Sequence, residues 1–193
     1  QSVQWDWADA VVTKAAKPPK IVNLFGYTGL ASLAAARSGA LVTHLDASRK
    51  VVLWAKENQA LSHLSDSPIR WIVDDTVKFV QREIRRGAQY DGIILDPPKF
   101  GRGPKGEVWE FYKLLPDLLA GCRQILSPDP LFVQLTAYAV KASSVTIYYA
   151  INEMMSSYDG HTQAGEIGLT EQSAGHFLST AIFARWSRKN VIP

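Results

Sequence analysis

The stretch Ile21-Val-Asn-Leu-Phe-Gly-Tyr-Thr-Gly29 decides the fold. Its first five residues are a short, mostly apolar run of the kind that forms a buried strand, and the two glycines mark a tight turn. Residues 30–38 follow as an alanine-rich helix that Gly39 closes. Glycines at 26 and 29 let backbone amides and the helix N-terminus approach a ligand closely. A plain tight β-α turn would use the same residues, so this stretch alone leaves both readings open.

Working outward, the pattern repeats. Residues 41–45 read as a second strand ending at Asp46, and Ser48 is a good N-cap for a helix running to about His63. Residues 68–73, 91–95 and 131–136 read as further strands, with helices over 75–86 and 143–156. Residues 96–106 are expected as a loop and 108–126 as mostly helix, with Pro116 near a first turn or at a break. Upstream, Trp5, Trp7, Ala10 and Val11 have roughly helical spacing before Lys17-Pro-Pro-Lys20 stops the helix. This leading helix (residues 1–20) is expected on the sheet edge, with both tryptophans as packing residues. The runs 162–169 and 177–186 have no helix between them and predict an antiparallel hairpin. Alternating strands and helices imply a mostly parallel α/β sheet of seven strands, with helices on both faces and that hairpin at one edge.

Composition narrows the function. The 193 residues suit one domain; 47% are hydrophobic and 20% charged, and the net charge of +3 permits a polyanionic partner without demanding one. A single cysteine, Cys122, excludes an internal disulfide and a multi-cysteine zinc site, and the four histidines lack ligand spacing, so no metal is expected. No apolar run approaches membrane-spanning length and no signal peptide is visible, so a cytoplasmic enzyme or binding domain is expected.

Asp46 follows Gly26 by 20 residues, where doubly wound nucleotide binders place an acid on ribose hydroxyls. Asp75, beside Asp74, ends the third strand at the same edge. A dinucleotide site predicts G-x-G-x-x-G, but Gly26-Tyr-Thr-Gly29 lacks the first glycine and carries bulk between the two. Strand-end acids around a glycine turn suit a cofactor without phosphates, namely S-adenosylmethionine. At the end of the fourth strand, Asp96-Pro-Pro-Lys-Phe100 sets a carboxylate on a stiff bend. The Asp96 side chain and the Pro97 carbonyl can accept hydrogen bonds from an exocyclic amine, Pro98 stiffens the turn, and Phe100 can stack a base. Lys99, Arg102 and Lys105 lie among glycines and suit a mobile, phosphate-contacting loop, whereas Arg82, Arg85 and Arg86 suit a solvated helix face.

Together Asn23-Leu-Phe-Gly-Tyr-Thr-Gly29, Thr43-His-Leu-Asp-Ala-Ser48, Trp71-Ile-Val-Asp-Asp75 and Leu95-Asp-Pro-Pro-Lys-Phe100 resemble a Rossmann-like class I S-adenosylmethionine-dependent methyltransferase. The similarity is to the bacterial 23S ribosomal-RNA large-subunit group that includes C5-cytosine and guanine methylating enzymes, and it covers roughly residues 20–186. It implies that Asn23, Phe25 and Gly26, with Thr28 and Gly29 in the same turn, line the methionine end. Asp46 would hold the ribose hydroxyls with support from Ser48, and Asp75 the adenine amine beside Thr76. It further implies an RNA substrate, ribosomal RNA first, methylated at a base amino group. Members often carry N-terminal substrate-binding structure, so an upstream specificity region is expected to be missing. In the C5-cytosine enzymes a cysteine follows the fifth strand; here that place reads Leu135-Thr-Ala-Tyr-Ala139, and Cys122 is expected to pack. Tyr138 there can wall the base pocket or lie in the core. A small-molecule methyltransferase, a nicotinamide-dependent oxidoreductase and a non-catalytic module stay open as alternatives.

Overall fold

The computed structural model describes residues 1–189 and 191. Short apolar runs form the parallel strands β1 (Lys20–Leu24), β2 (Leu41–Asp46), β3 (Ile69–Val73), β4 (Gly92–Leu95) and β7 (Phe132–Ala137), and two long antiparallel strands, β8 (Gly160–Thr170) and β9 (Phe177–Arg188), complete the sheet. The order is β3-β2-β1-β4-β7-β9-β8, so the closing hairpin is at one edge as expected. This is the Rossmann-like, seven-stranded, mostly parallel sheet that the sequence predicts.

Successive strand residues point to opposite faces, and the core divides accordingly. Val22, Leu24, Ile93, Leu95, Val133 and Leu135 join the core with α4 (Thr76–Arg85), α5 (Phe111–Gln124) and α6 (Ser144–Met154). Ile21, Ile94 and Phe132 face the other way, among residues of α1 (Ser2–Val12) and α2 (Leu30–Arg37). The helix α3 (Arg49–Leu61) lies against α2, β2 and β3.

Four local expectations change. The leading helix ends at Val12 and does not cap an edge; Ala8, Val11 and Val12 bury against Ile21, Ile94 and Phe132 of the central strands. Trp7 packs edge-on against Phe132 (5.7 Å between centroids), as a packing residue should. Strand β1 stops at Leu24 because Phe25 turns into the left-handed region (φ 59). Residues 108–110 are not helical: β6 (Val108–Glu110) pairs with β5 (Phe100–Arg102), and α5 begins only at Phe111 with Pro116 inside it. The loop expected over 96–106 is therefore partly an ordered hairpin. Its turn is tied by Gly103 N donating to Glu107 O, and to α4 by the Lys78–Glu107 ion pair at 2.5 Å.

Two of the three arginines read as a solvated face, Arg82 and Arg86, are paired. Arg82 meets Asp74 at 2.5 Å, and Arg86 donates to Glu83 at 3.0 Å. Glu83 itself is buried and also accepts from the Tyr90 hydroxyl at 2.8 Å. A buried carboxylate holds its place only through such donors, and removing it strands them. Glu83→Ala should lower unfolding free energy by about 2 kcal/mol, given that Arg86 and Arg70 reach solvent. Urea denaturation checks this, and a loss under about 0.5 kcal/mol would show the network to be incidental.

Candidate active site

The carboxyl ends of β1, β2, β3, β4 and β7 converge on a cavity of about 670 Å³, a volume ordinary for a small-ligand site. The glycine turn that lines it is shaped from behind by a side chain absent from the expected site. The His44 imidazole is fully buried on β2, and a β-carbon at Gly26 would fall 2.4 Å from its Cε1. Only glycine fits there. The turn is tightened on either side by Phe25 (φ 59) and Tyr27 (φ 48), a region that costs an L-residue about 1–2 kcal/mol. Gly29 (φ 87) then starts α2 in a conformation that glycine adopts without strain.

His44 also organises the wall. Its Nδ1 is hydrogen-bonded to Ser32 Oγ at 2.9 Å, and Ser32 Oγ accepts from Asn23 Nδ2 at 2.9 Å. Burial pushes the imidazole down to about 4, so it is neutral near pH 7. The Asn23 amide is thereby held in one orientation at the cavity surface.

Asp46 joins two strand ends. Oδ2 accepts from Tyr27 N at 3.0 Å and Oδ1 from Ser48 N at 2.9 Å. A carboxylate occupying the turn's amide opposes a pyrophosphate at that place and leaves lone pairs for neutral hydroxyls. Ser48 and Asp75 are N-caps of α3 and α4, their side chains accepting from Val51 N and Lys78 N, and both line the cavity together with Thr28 and Thr76. Phe25 lines it too. Gly29 is not in the wall but one turn behind it, packed on Ala55.

At the reacting edge Asp96 and Pro98 line the cavity, while Pro97 is buried beneath. Asp96 Oδ2 accepts from Gln1 Nε2 at 2.6 Å, but Oδ1 is buried with no partner among the described residues. Burial raises its carboxyl above the usual range, opposed by the Gln1 hydrogen bond. The Pro98 carbonyl accepts from Trp109 Nε1 at 2.7 Å, and the Trp109 ring rests on Phe25 at 4.8 Å. Trp109 therefore clamps the Asp-Pro-Pro turn to the glycine turn. Tyr138 lines the cavity, its phenol raised by burial and then by the Asp96 carboxylate. Arg102 reaches the wall from β5; Phe100, Lys99 and Lys105 are exposed and outside it.

Trp109, Gln134 and Thr136 line the cavity without having been expected there. Trp109 was hidden by the helical reading of 108–126. Gln134 and Thr136 carried a signal: in Phe132-Val-Gln-Leu-Thr-Ala137 polar residues recur with period two inside a wholly buried strand. Trp5, expected to pack, also lines the cavity. Cys122 is fully buried in α5, and burial pushes its thiol up to about 12, so it stays protonated and inert.

These residues fit an S-adenosylmethionine-like ligand. The anchored Asp46 retains lone pairs, and two buried oxygens that have no partner among the described residues, Asp96 Oδ1 and Gln134 Oε1, belong to lining residues.

No protein-family model matches the chain. It is 36% identical over 121 residues to the ribosomal RNA large subunit methyltransferase K/L of Shewanella frigidimarina, and 34% over 120 residues to that of Pseudoalteromonas translucida. The matched stretch is 62% and 61% of this chain but only 17% of each relative. Among solved structures, the SAM dependent methyltransferase from Agrobacterium tumefaciens superposes with a TM-score of 0.94 at 50% identity, over 98% of this chain and 62% of that one. The protein SMU.776, solved in complex with SAH, shares the fold at 21% identity (TM-score 0.72, 94% of this chain and 48% of that one). The chain thus has the class I methyltransferase fold and resembles the large-subunit ribosomal-RNA methyltransferases.

Proposed function

We propose that this chain is the catalytic domain of an S-adenosylmethionine-dependent methyltransferase that modifies a base amino group in RNA, with large-subunit ribosomal RNA the first candidate. One observation carries the reading: a buried carboxylate oxygen, Asp96 Oδ1, has no donor among the described residues at a cavity edge whose backbone is clamped by two prolines and Trp109. An unpaired buried acceptor is unfavourable unless a ligand satisfies it. The names of the Agrobacterium and Shewanella proteins agree with this reading in cofactor and in substrate class.

The cofactor, when bound, supplies an electrophilic methyl group on a sulfonium sulfur. Asp46 would take the ribose hydroxyls, Asp75 and Thr76 the adenine, and Asn23, Phe25, Gly26 and Thr28 the methionine portion. Asp96 Oδ1 accepts a hydrogen bond from the substrate amine and fixes the direction of its lone pair; the Pro97 carbonyl is the second acceptor in this scheme. Alignment of that kind is most of what an amine needs to attack a methyl group. Carbon methylation of a pyrimidine would need a thiolate, and the chain's one cysteine is buried and protonated. A nicotinamide dinucleotide fits less well because Asp46 occupies the amide of Tyr27.

Transfer of tritiated methyl groups to unmodified 23S ribosomal RNA tests the proposal; absence of label in RNA, with label passing to small amines, would overturn the substrate assignment. Asp96→Ala should reduce transfer by about 100-fold, a loss typical of misalignment, with affinity for S-adenosylhomocysteine nearly unchanged. Asp46→Ala should instead weaken that affinity by about 10- to 100-fold, the worth of a charged hydrogen bond.

Burial also gives Asp96 a pH signature. A carboxyl raised in the folded state destabilises the protein as pH rises from the unfolded value near 3.9 through the folded one. Asp96→Asn should therefore raise Tm at pH 7, with the gain shrinking below about pH 4. An equal gain at both pH values would show that charge burial is not its source.

A further inference from the structure

The register of the sheet singles out one more residue. Asn23, Ile94, Gln134 and Arg185 are consecutive neighbours across β1, β4, β7 and β9. They share the face that α1 and α2 cover, where Ile21, Ile94 and Phe132 are buried. One pair further along, Leu95 partners Leu135, so Asp96 and Thr136 follow side by side at the carboxyl edge. Gln134 is 3% exposed, lines the cavity, and its Oε1 has no hydrogen-bond partner among the described residues.

Its register neighbour on β9, Arg185, is engaged elsewhere. The Arg185 guanidinium donates to Gln163 Oε1 at 3.1 and 3.2 Å and to Gln4 Oε1 at 3.4 Å, and it stacks on Trp7 and Phe183. A buried carboxamide left open at a cavity wall is a receptor for a ligand edge that offers a donor beside an acceptor.

Topology decides which ligand. The glycine turn and the acids Asp46 and Asp75 end β1, β2 and β3, on one side of β4. Gln134 is on β7, on the opposite side of Asp96 from that cradle. Thr136, Tyr138 and, from α1, Trp5 line the same cavity.

We infer that Gln134 is a specificity residue for the substrate: its side-chain amide pairs with the polar edge of the target nucleobase while Asp96 holds the amine. The inference rests on the methyl-transfer function proposed above. Oε1 takes a ring or amine N–H and Nε2 donates to the adjacent ring nitrogen or carbonyl, an arrangement that adenine, cytosine and guanine offer together with an exocyclic amine.

The test uses protein saturated with S-adenosylhomocysteine, titrated with each of the four nucleoside 5′-monophosphates. Quenching of tryptophan fluorescence reports binding, since Trp5 and Trp109 line the cavity. The wild type should bind an amine-bearing nucleotide saturably, and Gln134→Leu should weaken that binding at least tenfold. Affinity for S-adenosylhomocysteine, measured by calorimetry, should stay within threefold. Gln134→Glu, which keeps the size and loses the donor, should show the same pattern and covers the case in which the leucine variant does not fold. Equal nucleotide affinity in both variants overturns the role of Gln134 alone. A parallel fall in S-adenosylhomocysteine affinity reassigns it to the cofactor. A wild type that binds none of the four overturns this inference together with the RNA reading.

Discussion

The contact between Gly26 and His44 governs the site. A buried, neutral imidazole fills the space a side chain at position 26 would need, so the chain between β1 and α2 must turn tightly against β2. That turn brings Tyr27 N onto the Asp46 carboxylate. The same imidazole supports Ser32, and Ser32 supports Asn23. The cradle is thus organised from beneath by one ring, and its ligand-facing groups are oriented before any ligand arrives. Such preorganisation removes ordering costs from binding.

The reacting edge is held by a different device. Two prolines restrict the backbone after Asp96, and Trp109 ties the Pro98 carbonyl to the wall that Phe25 forms. Within this rigid frame Asp96 keeps one oxygen buried and, among the described residues, unpaired. A group so placed destabilises the folded protein for the sake of the site, a common trade in enzymes. The β5–β6 hairpin that carries Trp109 is braced by Lys78 and Glu107, whose carboxyl the lysine holds down to about 2.

Much of this was legible in the residues. The mostly parallel α/β sheet, the hairpin at its edge and the convergence of Asn23, Asp46, Asp75 and Asp96 follow from apolar runs ending in turn glycines or acids. Three features were obscured for physical reasons. Val108-Trp-Glu110 runs directly into the helical pattern of α5, so a three-residue strand was absorbed into it. Phe100 looked like a stacking partner by its nearness to Asp96, but strand β5 leaves it exposed, outside the cavity wall. His44 and Gln134 act through burial and pairing across strands, which depend on register rather than on sequence neighbours.

The central claim is that this cradle holds an adenosyl ligand without phosphates. Isothermal titration of S-adenosylhomocysteine and, separately, of NAD⁺ into the protein tests it most directly. The account predicts saturable one-site binding of S-adenosylhomocysteine and no heat of binding from NAD⁺. Saturable binding of NAD⁺ with none of S-adenosylhomocysteine would contradict it.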